Sequence, residues 1–219
     1  MGVEGTLKWC ERLGVNPEDV VLLPIAYELK SPSVGSFPRT PWIDGWKSLG
    51  CDSIPSMQAA LPRLRNKLAD DPSYFKLVYN YTFEFAKTGA QRSIGVEIAI
   101  AFWGLLLPHG LTGKALAHTS NGDGGDPVDS STSAEEGWKP VFTDWWFEFL
   151  TTKGGKGVSK DTWTMVNSSL SSVSFLLMFA VPRLCPYHRL QVQESRFRRL
   201  AHPLKRPNAY NSLLTVSSQ

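Results

Sequence analysis

Apolar residues recur every three or four positions along much of the chain, which is the spacing of a helix that buries one face. In one such stretch Thr40 and Pro41 predict a helix start, and Gly50 predicts the end of that helix. The apolar face of this helix is predicted to comprise Trp42, Ile43, Trp46 and Leu49. Two indoles bury a large area only where other helices cover them, so the stretch predicts a set of packed helices.

Similar start signals divide the rest of the chain into helices. Pro24 is expected to kink or shorten a buried helix over 20–29, and a later helix is expected to stop at 108–110. No segment alternates with period two over several residues, so the predicted fold class is all-α. The capping residues predicted ahead of the other helices are Asn16, Asp52 or Ser53, Asp71, Ser93 and Ser159.

The composition of the 219 residues, 42% hydrophobic and 20% charged, is that of an ordinary globular domain. Residues 1–173 are expected to form one helical domain with a flexible, polar insertion over 111–137. After Ser174 seven Lys and Arg residues face a single Glu, so residues 174–219 are expected to form a divergent, basic and disordered tail. The apolar run 175–181 is far too short to span a membrane, and no membrane partner is expected.

No residue pattern points to catalysis or to a bound cofactor. The four histidines do not stand at the spacings of a zinc site or a catalytic triad. Cys10, Cys51 and Cys185 are too far apart for a zinc motif or a disulfide framework, which favours a reducing, intracellular compartment. Cys51 has no histidine near it in sequence, so a buried structural role is preferred to a nucleophilic one. We therefore expect neither an enzyme nor a metal or cofactor site.

A short motif recurs ahead of four helices, at Gly2-Val3, Ser36-Phe37, Ser93-Ile94 and Gly157-Val158. Each copy has a small residue, an apolar residue and a polar link into the helix, which is the form of the second half of an EF-hand. No D-x-D-x-D-G loop with a closing Glu precedes any copy. The motif predicts metal-free EF-hand-like units, and a calcium-binding EF-hand protein is the disfavoured alternative.

Five motifs stand in a characteristic order: Asp44-Gly45-Trp46, Leu49-Gly50-Cys51-Asp52-Ser53, Phe83-Glu84-Phe85-Ala86-Lys87, Ala99-Ile100-Ala101-Phe102-Trp103 and Lys160-Asp161-Thr162-Trp163. Together they resemble the potentiating-neddylation domain of the defective-in-cullin-neddylation family, from Gly2 to Val166 apart from the insertion. The resemblance implies an all-helical, EF-hand-like scaffold that promotes cullin neddylation without being a catalyst. Its implied partners are the C-terminal winged-helix domain of a cullin, the RING subunit of the cullin ligase, and the acetylated N-terminus of the neddylation conjugating enzyme.

The resemblance also implies two binding sites. In the family an acidic patch binds the cullin, and Asp161 matches its first residue, whereas the later Ala and Asp of that patch have no counterpart in residues 174–219. Thr6 stands where the family has a larger aliphatic residue. An acetylated terminus can enter an apolar pocket without burying an ammonium group. The implied acetyl-methionine pocket comprises Val3, Leu22, Leu23, Ala26, Phe37, Phe85, Phe102 and Leu105.

Two alternatives to this function stay open, and the altered C-terminal sequence also bears on the function itself. The altered end predicts an impaired or inactive form of the scaffold. The basic tail could instead bind nucleic acid, with Arg196, Arg198 and Arg199 as the contacts, although a solvated tail is preferred. A degenerate EF-hand interaction module is the remaining alternative.

Overall fold

The computed structural model describes residues 1–89, 91–116, 140–153 and 157–170. Within these ranges the chain forms eight helices and one antiparallel sheet of two very short strands, which confirms the all-α class. The helices are α1 Val3–Leu13, α2 Leu22–Glu28, α3 Arg39–Ser48, α4 Ile54–Asp70, α5 Pro72–Ala86, α6 Val96–Thr112, α7 Pro140–Lys153 and α8 Lys160–Leu170. The strands are β1 Ser93–Ile94 and β2 Val158–Ser159.

Capping side chains fix several helix starts where the sequence predicts them. The Tyr74 backbone N–H donates to Asp71 Oδ1 at 3.0 Å at the start of α5, and the Thr162 N–H donates to Ser159 Oγ at 3.2 Å at the start of α8. Each bond satisfies an amide that has no partner inside its helix. Gly14 ends α1 with φ +68°, and Gly50, just after α3, has φ +71°, a backbone conformation that favours glycine.

Four boundaries differ from the prediction. Asn16 caps no helix, because α2 begins only at Leu22. Helix α3 begins at Arg39 rather than after Thr40, because the amides of a first turn are unbonded and Pro41 fits there equally well. Ser93 lies in β1 and does not cap α6, which begins after Gly95. Helix α6 also continues through Pro108 to Thr112, since burial of Gly110 packs its last turn onto the core. Helix α2 is short, as Pro24 predicts.

The beginning of the expected insertion belongs to the packed structure. Ala115 and Leu116 are buried, and their backbone N–H groups donate to Ala69 O at 2.8 Å and to Gly110 O at 3.0 Å. Residues 117–137 of the insertion lie outside the described residues, as do Cys185 and the whole predicted tail. The flexibility of the insertion and the disorder of the tail stay predictions.

A hydrogen-bonded aromatic cluster joins α5, α6 and α8. The Tyr79 hydroxyl donates to Trp163 O at 2.7 Å and accepts from Trp103 Nε1 at 2.7 Å, while Trp163 Nε1 donates to Tyr79 O at 2.9 Å. The two indole rings are stacked with centroids 4.9 Å apart. Burial of the hydroxyl raises the pKa of Tyr79 far above its ordinary value, so the ring stays neutral and keeps its proton for the bond.

A second aromatic cluster joins α1 to α3. The Trp9 ring lies 4.8 Å from Trp42 and 6.1 Å from Trp46, centroid to centroid. Trp46 is 2% exposed, so helices do cover this indole as predicted, whereas Trp42 is only half-buried. Ile43 was predicted on the same buried face but is 37% exposed, because that face is narrow and Ile43 lies beyond its edge.

Two backbone pairings join the loops ahead of four helices. Strand β1 pairs with β2 in the register Ile94 with Val158. In the second pairing, Met1 N donates to Phe37 O at 2.7 Å and Phe37 N donates to Met1 O at 2.9 Å. Phe37 thus pairs with Met1 and not with Val3. The pairings have the form expected of EF-hand-like units, and that assignment stays a prediction.

The Tyr79 hydroxyl can be tested by Tyr79→Phe. This change leaves Trp103 Nε1 and Trp163 O without their partner in the core, and we expect a loss of about 1–3 kcal/mol in the free energy of unfolding in urea. Tyr27→Phe, which removes a hydroxyl from a half-buried ring outside this cluster, is the matched control. Equal stability of the two variants would contradict the importance of the cluster.

Calcium provides a direct test of the metal-free assignment. We expect the melting temperature to stay constant on addition of millimolar Ca²⁺, with Mg²⁺ as the control. A ligand present at a hundred times its Kd would stabilise the native state by about 2.7 kcal/mol. For a protein of this size that stabilisation raises Tm by several degrees, and such a rise would show that the chain binds calcium.

Candidate functional site

Asp161 is the second residue of α8, a helix that begins directly after Ser159, the last residue of β2 and the cap of α8. Its side chain is exposed and forms no ion pair or hydrogen bond with any residue that the structure describes. Two residues further along, Trp163 is fully buried in the α5–α6–α8 cluster. The backbone that carries Asp161 is thus held by β2 on one side and by a buried indole on the other, and its carboxylate faces solvent.

Helices α5 and α8 run antiparallel beside this carboxylate. Trp163 bonds to Tyr79, and Lys160, one turn earlier on α8, bonds to Glu84, which lies later on α5. Met165 follows Asp161 by four residues, so the two side chains project from one face of α8. Met165 is 57% exposed. The candidate cullin-binding surface, defined here as Asp161 and Met165, therefore combines a carboxylate with an apolar side chain on a single rigid helix.

Glu84 is a neighbour of this surface that the sequence interpretation missed. Its two carboxylate oxygens accept from Lys87 Nζ at 2.7 Å and from Lys160 Nζ at 2.9 Å. Both bonds lower the pKa of the Glu84 carboxyl below its ordinary value, and the bond from Lys87 has the larger effect. The i,i+3 spacing of Glu84 and Lys87 is visible in the sequence. The bond to Lys160 spans 76 residues and gives no local signal.

The eight residues of the implied acetyl-methionine pocket are mostly part of the core. Val3 and Leu105 are half-buried and are the two members that solvent reaches. The Phe85 and Phe102 rings contact each other edge to face, with centroids 6.4 Å apart. The six buried members are Leu22, Leu23, Ala26, Phe37, Phe85 and Phe102, each no more than 4% exposed.

Thr6 is buried beside the N-terminal part of this group. Its hydroxyl donates to the backbone oxygen of Gly2, the residue that precedes α1, at 3.0 Å, so this buried polar atom is paired. A separate cavity of about 210 Å³ opens at the start of α5 and contains none of the eight pocket residues. Residues lining that cavity are Pro72, Ser73, Phe75, Lys76, Ala115, Leu116 and Asn167.

Both described cysteines are buried. Cys51 Sγ lies 3.4 Å from Ser56 O, and burial raises the pKa of the Cys10 thiol to about 11. Among the described residues no three His, Cys, Asp or Glu side chains are grouped as metal ligands. None of the helices in the same ranges is both long and apolar enough to cross a bilayer. Arg196, Arg198 and Arg199, the predicted nucleic-acid contacts, lie outside the described residues.

Comparisons with known proteins point in one direction. A family model described as "Cullin binding" matches residues 56–176, a range that includes both Glu84 and Asp161. "Defective in cullin neddylation protein 1" of Mycosarcoma maydis is 32% identical over 206 residues, covering 80% of this chain and 60% of the relative. The protein of the same name from Cryptococcus neoformans is 37% identical over 172 residues, covering 75% of this chain and 57% of the relative.

A vertebrate relative is similar over a shorter range. "DCN1-like protein 4" of Danio rerio is 44% identical over 107 residues, covering 49% of this chain and 38% of the relative. The chain thus spans less than two thirds of the length of these three relatives. The family match confirms the resemblance seen in the sequence motifs. Because the matched range is more than half of the 219 residues, the chain belongs to the cullin-binding family, which includes the defective-in-cullin-neddylation proteins.

Proposed function

We propose that this chain is a non-catalytic cofactor of cullin neddylation that binds a cullin through Asp161 and its neighbours on α8. The observation that carries the proposal is an exposed carboxylate on a rigidly held helix start, inside the range matched by the cullin-binding family. The names of the relatives, which refer to cullin neddylation, support the same process.

The proposed mechanism is positional. The chain holds a cullin on the Asp161 surface and the conjugating enzyme on another surface, beside the RING subunit of the cullin ligase. Bringing two reactants together in a fixed geometry turns an encounter between separate molecules into a reaction within one complex. The chemical step, transfer of the ubiquitin-like modifier, then belongs to the conjugating enzyme, and the scaffold contributes orientation.

The α8 surface suits a basic partner. Asp161 can accept charge-assisted hydrogen bonds from a Lys or Arg of the cullin's winged-helix domain, and Met165 can pack against the aliphatic part of such a side chain. Trp163 anchors the helix in the core through two hydrogen bonds with Tyr79. The carboxylate is therefore presented on a surface that needs little reorganisation on binding.

Asp161→Ala tests the cullin surface. We expect calorimetric titration with a cullin winged-helix domain to show affinity at least about tenfold weaker than that of the unmodified chain, because close interfacial charge pairs contribute about 1.5 kcal/mol or more. Asp44→Ala removes an exposed carboxylate from α3 and should leave the affinity unchanged. Equal binding by both variants would exclude Asp161 from the interface.

The same titration tests the effect of the altered C-terminal sequence. We expect the unmodified chain to bind, since Asp161 and its supporting core are present, although less tightly than a relative that also carries the later Ala and Asp of the patch. Absence of binding by a chain that circular dichroism shows to be helical would contradict the proposed cullin-binding role.

The second proposed surface binds the acetylated N-terminal methionine of the conjugating enzyme. Val3 and Leu105 are the two pocket members within reach of solvent, and Leu105 lies on α6 one turn after Phe102, whose ring contacts Phe85. We propose that the methionine side chain enters between these groups. An uncharged acetyl terminus suits the apolar surroundings, because burial of an ammonium group costs several kcal/mol.

Peptide binding tests this pocket. We expect an N-terminally acetylated peptide of the conjugating enzyme to bind at least about tenfold more tightly than the same peptide with a free amine, as followed by fluorescence anisotropy. Leu105→Ala should weaken the acetylated peptide severalfold, whereas Leu77→Ala, on an exposed residue of α5, should not. Equal affinity for the two peptides would refute a pocket specific for the acetyl group.

A further inference from the structure

Lys160 and Asp161 are adjacent residues of opposite charge at the start of α8, yet they do not pair with each other. Lys160 Nζ donates instead to Glu84 Oε1 on α5, at 2.9 Å, and the other oxygen of Glu84 accepts from Lys87 Nζ at 2.7 Å. The Lys160 side chain is 63% exposed and that of Glu84 is 45% exposed. Solvent therefore reaches both partners of this contact, and charge rather than packing selects it.

The local charge depends on Glu84. Asp161 and Glu84 balance Lys160 and Lys87, so the group is neutral while both carboxylates are ionised. Without the Glu84 charge the group would carry one net positive charge, and the Lys160 ammonium would have Asp161 as its nearest carboxylate along the chain. The net positive charge would repel a cationic partner, and the Lys160 ammonium would compete with that partner for the Asp161 carboxylate.

We propose that Glu84 is a positioning residue for the cullin contact: by holding Lys160 and Lys87 on α5, it leaves the Asp161 carboxylate available to a basic side chain of the cullin. This inference rests on the proposed function of Asp161. It assigns to α5 a part in partner recognition through charge, without direct contact with the partner.

Glu84→Gln tests the inference, because glutamine keeps the size of the side chain and removes its charge. In titrations of the full chain with a cullin winged-helix domain, we expect Kd to rise about two- to fivefold, the range of an exposed ion pair. Lys160→Met should lower Kd by a similar factor, since it removes the competing cation. The double variant Glu84→Gln with Lys160→Met should bind nearly as the unmodified chain does.

The opposite signs of the two single variants distinguish this role from a merely structural one. If the Glu84–Lys160 bond only fixed α8 on α5, then Lys160→Met would weaken binding as Glu84→Gln does, and the double variant would not recover. That result would overturn the inference. Glu4→Gln is the matched control, because it breaks the exposed Lys8–Glu4 ion pair of α1 with the same change in net charge.

Two further outcomes separate the inference from the proposed function. Binding that is lost in Asp161→Ala but unchanged in Glu84→Gln would overturn the inference alone. Binding that is absent in the unmodified chain, or insensitive to Asp161→Ala, would overturn both.

The salt dependence of binding is a further test. We expect the difference in Kd between Glu84→Gln and the unmodified chain to shrink in about 1 M salt, where the Debye length is about 3 Å. A difference that persists there would contradict an electrostatic role.

Discussion

The hydrogen bonds that join Tyr79 to Trp103 and Trp163 support the rest of the structure. Helices α5, α6 and α8 meet in them, and each bond satisfies a polar atom that burial would otherwise leave unpaired. An apolar cluster of the same size would pack as well in several arrangements. The directional bonds favour one arrangement, which fixes the rotation of α8 about its own axis.

That rotation determines which side chains of α8 face solvent. Because Trp163 points into the core, Asp161 and Met165 point outwards, and Lys160 lies within reach of Glu84 on α5. The pairing of β1 with β2 fixes the same helix at its first residue. The candidate cullin-binding surface is thus a consequence of core packing, since none of the surface residues holds the helix in place.

Much of the fold could be predicted from local signals. Asp71 and Ser159 cap their helices as the sequence indicates, because a cap acts within one turn of the residue that forms it. Ser93 and Pro108 were misjudged, since pairing with β2 and packing of Gly110 involve residues far away along the chain.

The candidate site was predictable only in part. Asp161 follows from a sequence motif shared with a family, whereas the contact of Glu84 with Lys160 exists only after α5 and α8 have packed. The implied acetyl-methionine pocket could not be identified from the sequence for a different reason. Apolar residues that fill a core and apolar residues that line a groove have the same character in a sequence, and six of the eight are buried here.

The complete burial of Trp163 has a consequence for the entropy of association. The backbone two residues from Asp161 is ordered before any partner arrives, so complex formation does not bear the cost of about 1–2 kcal/mol for each residue that would otherwise have to be fixed. Only the exposed side chains lose rotational freedom. A chain built in this way can bind a partner through few contacts, because little of the interaction energy is consumed in ordering the helix.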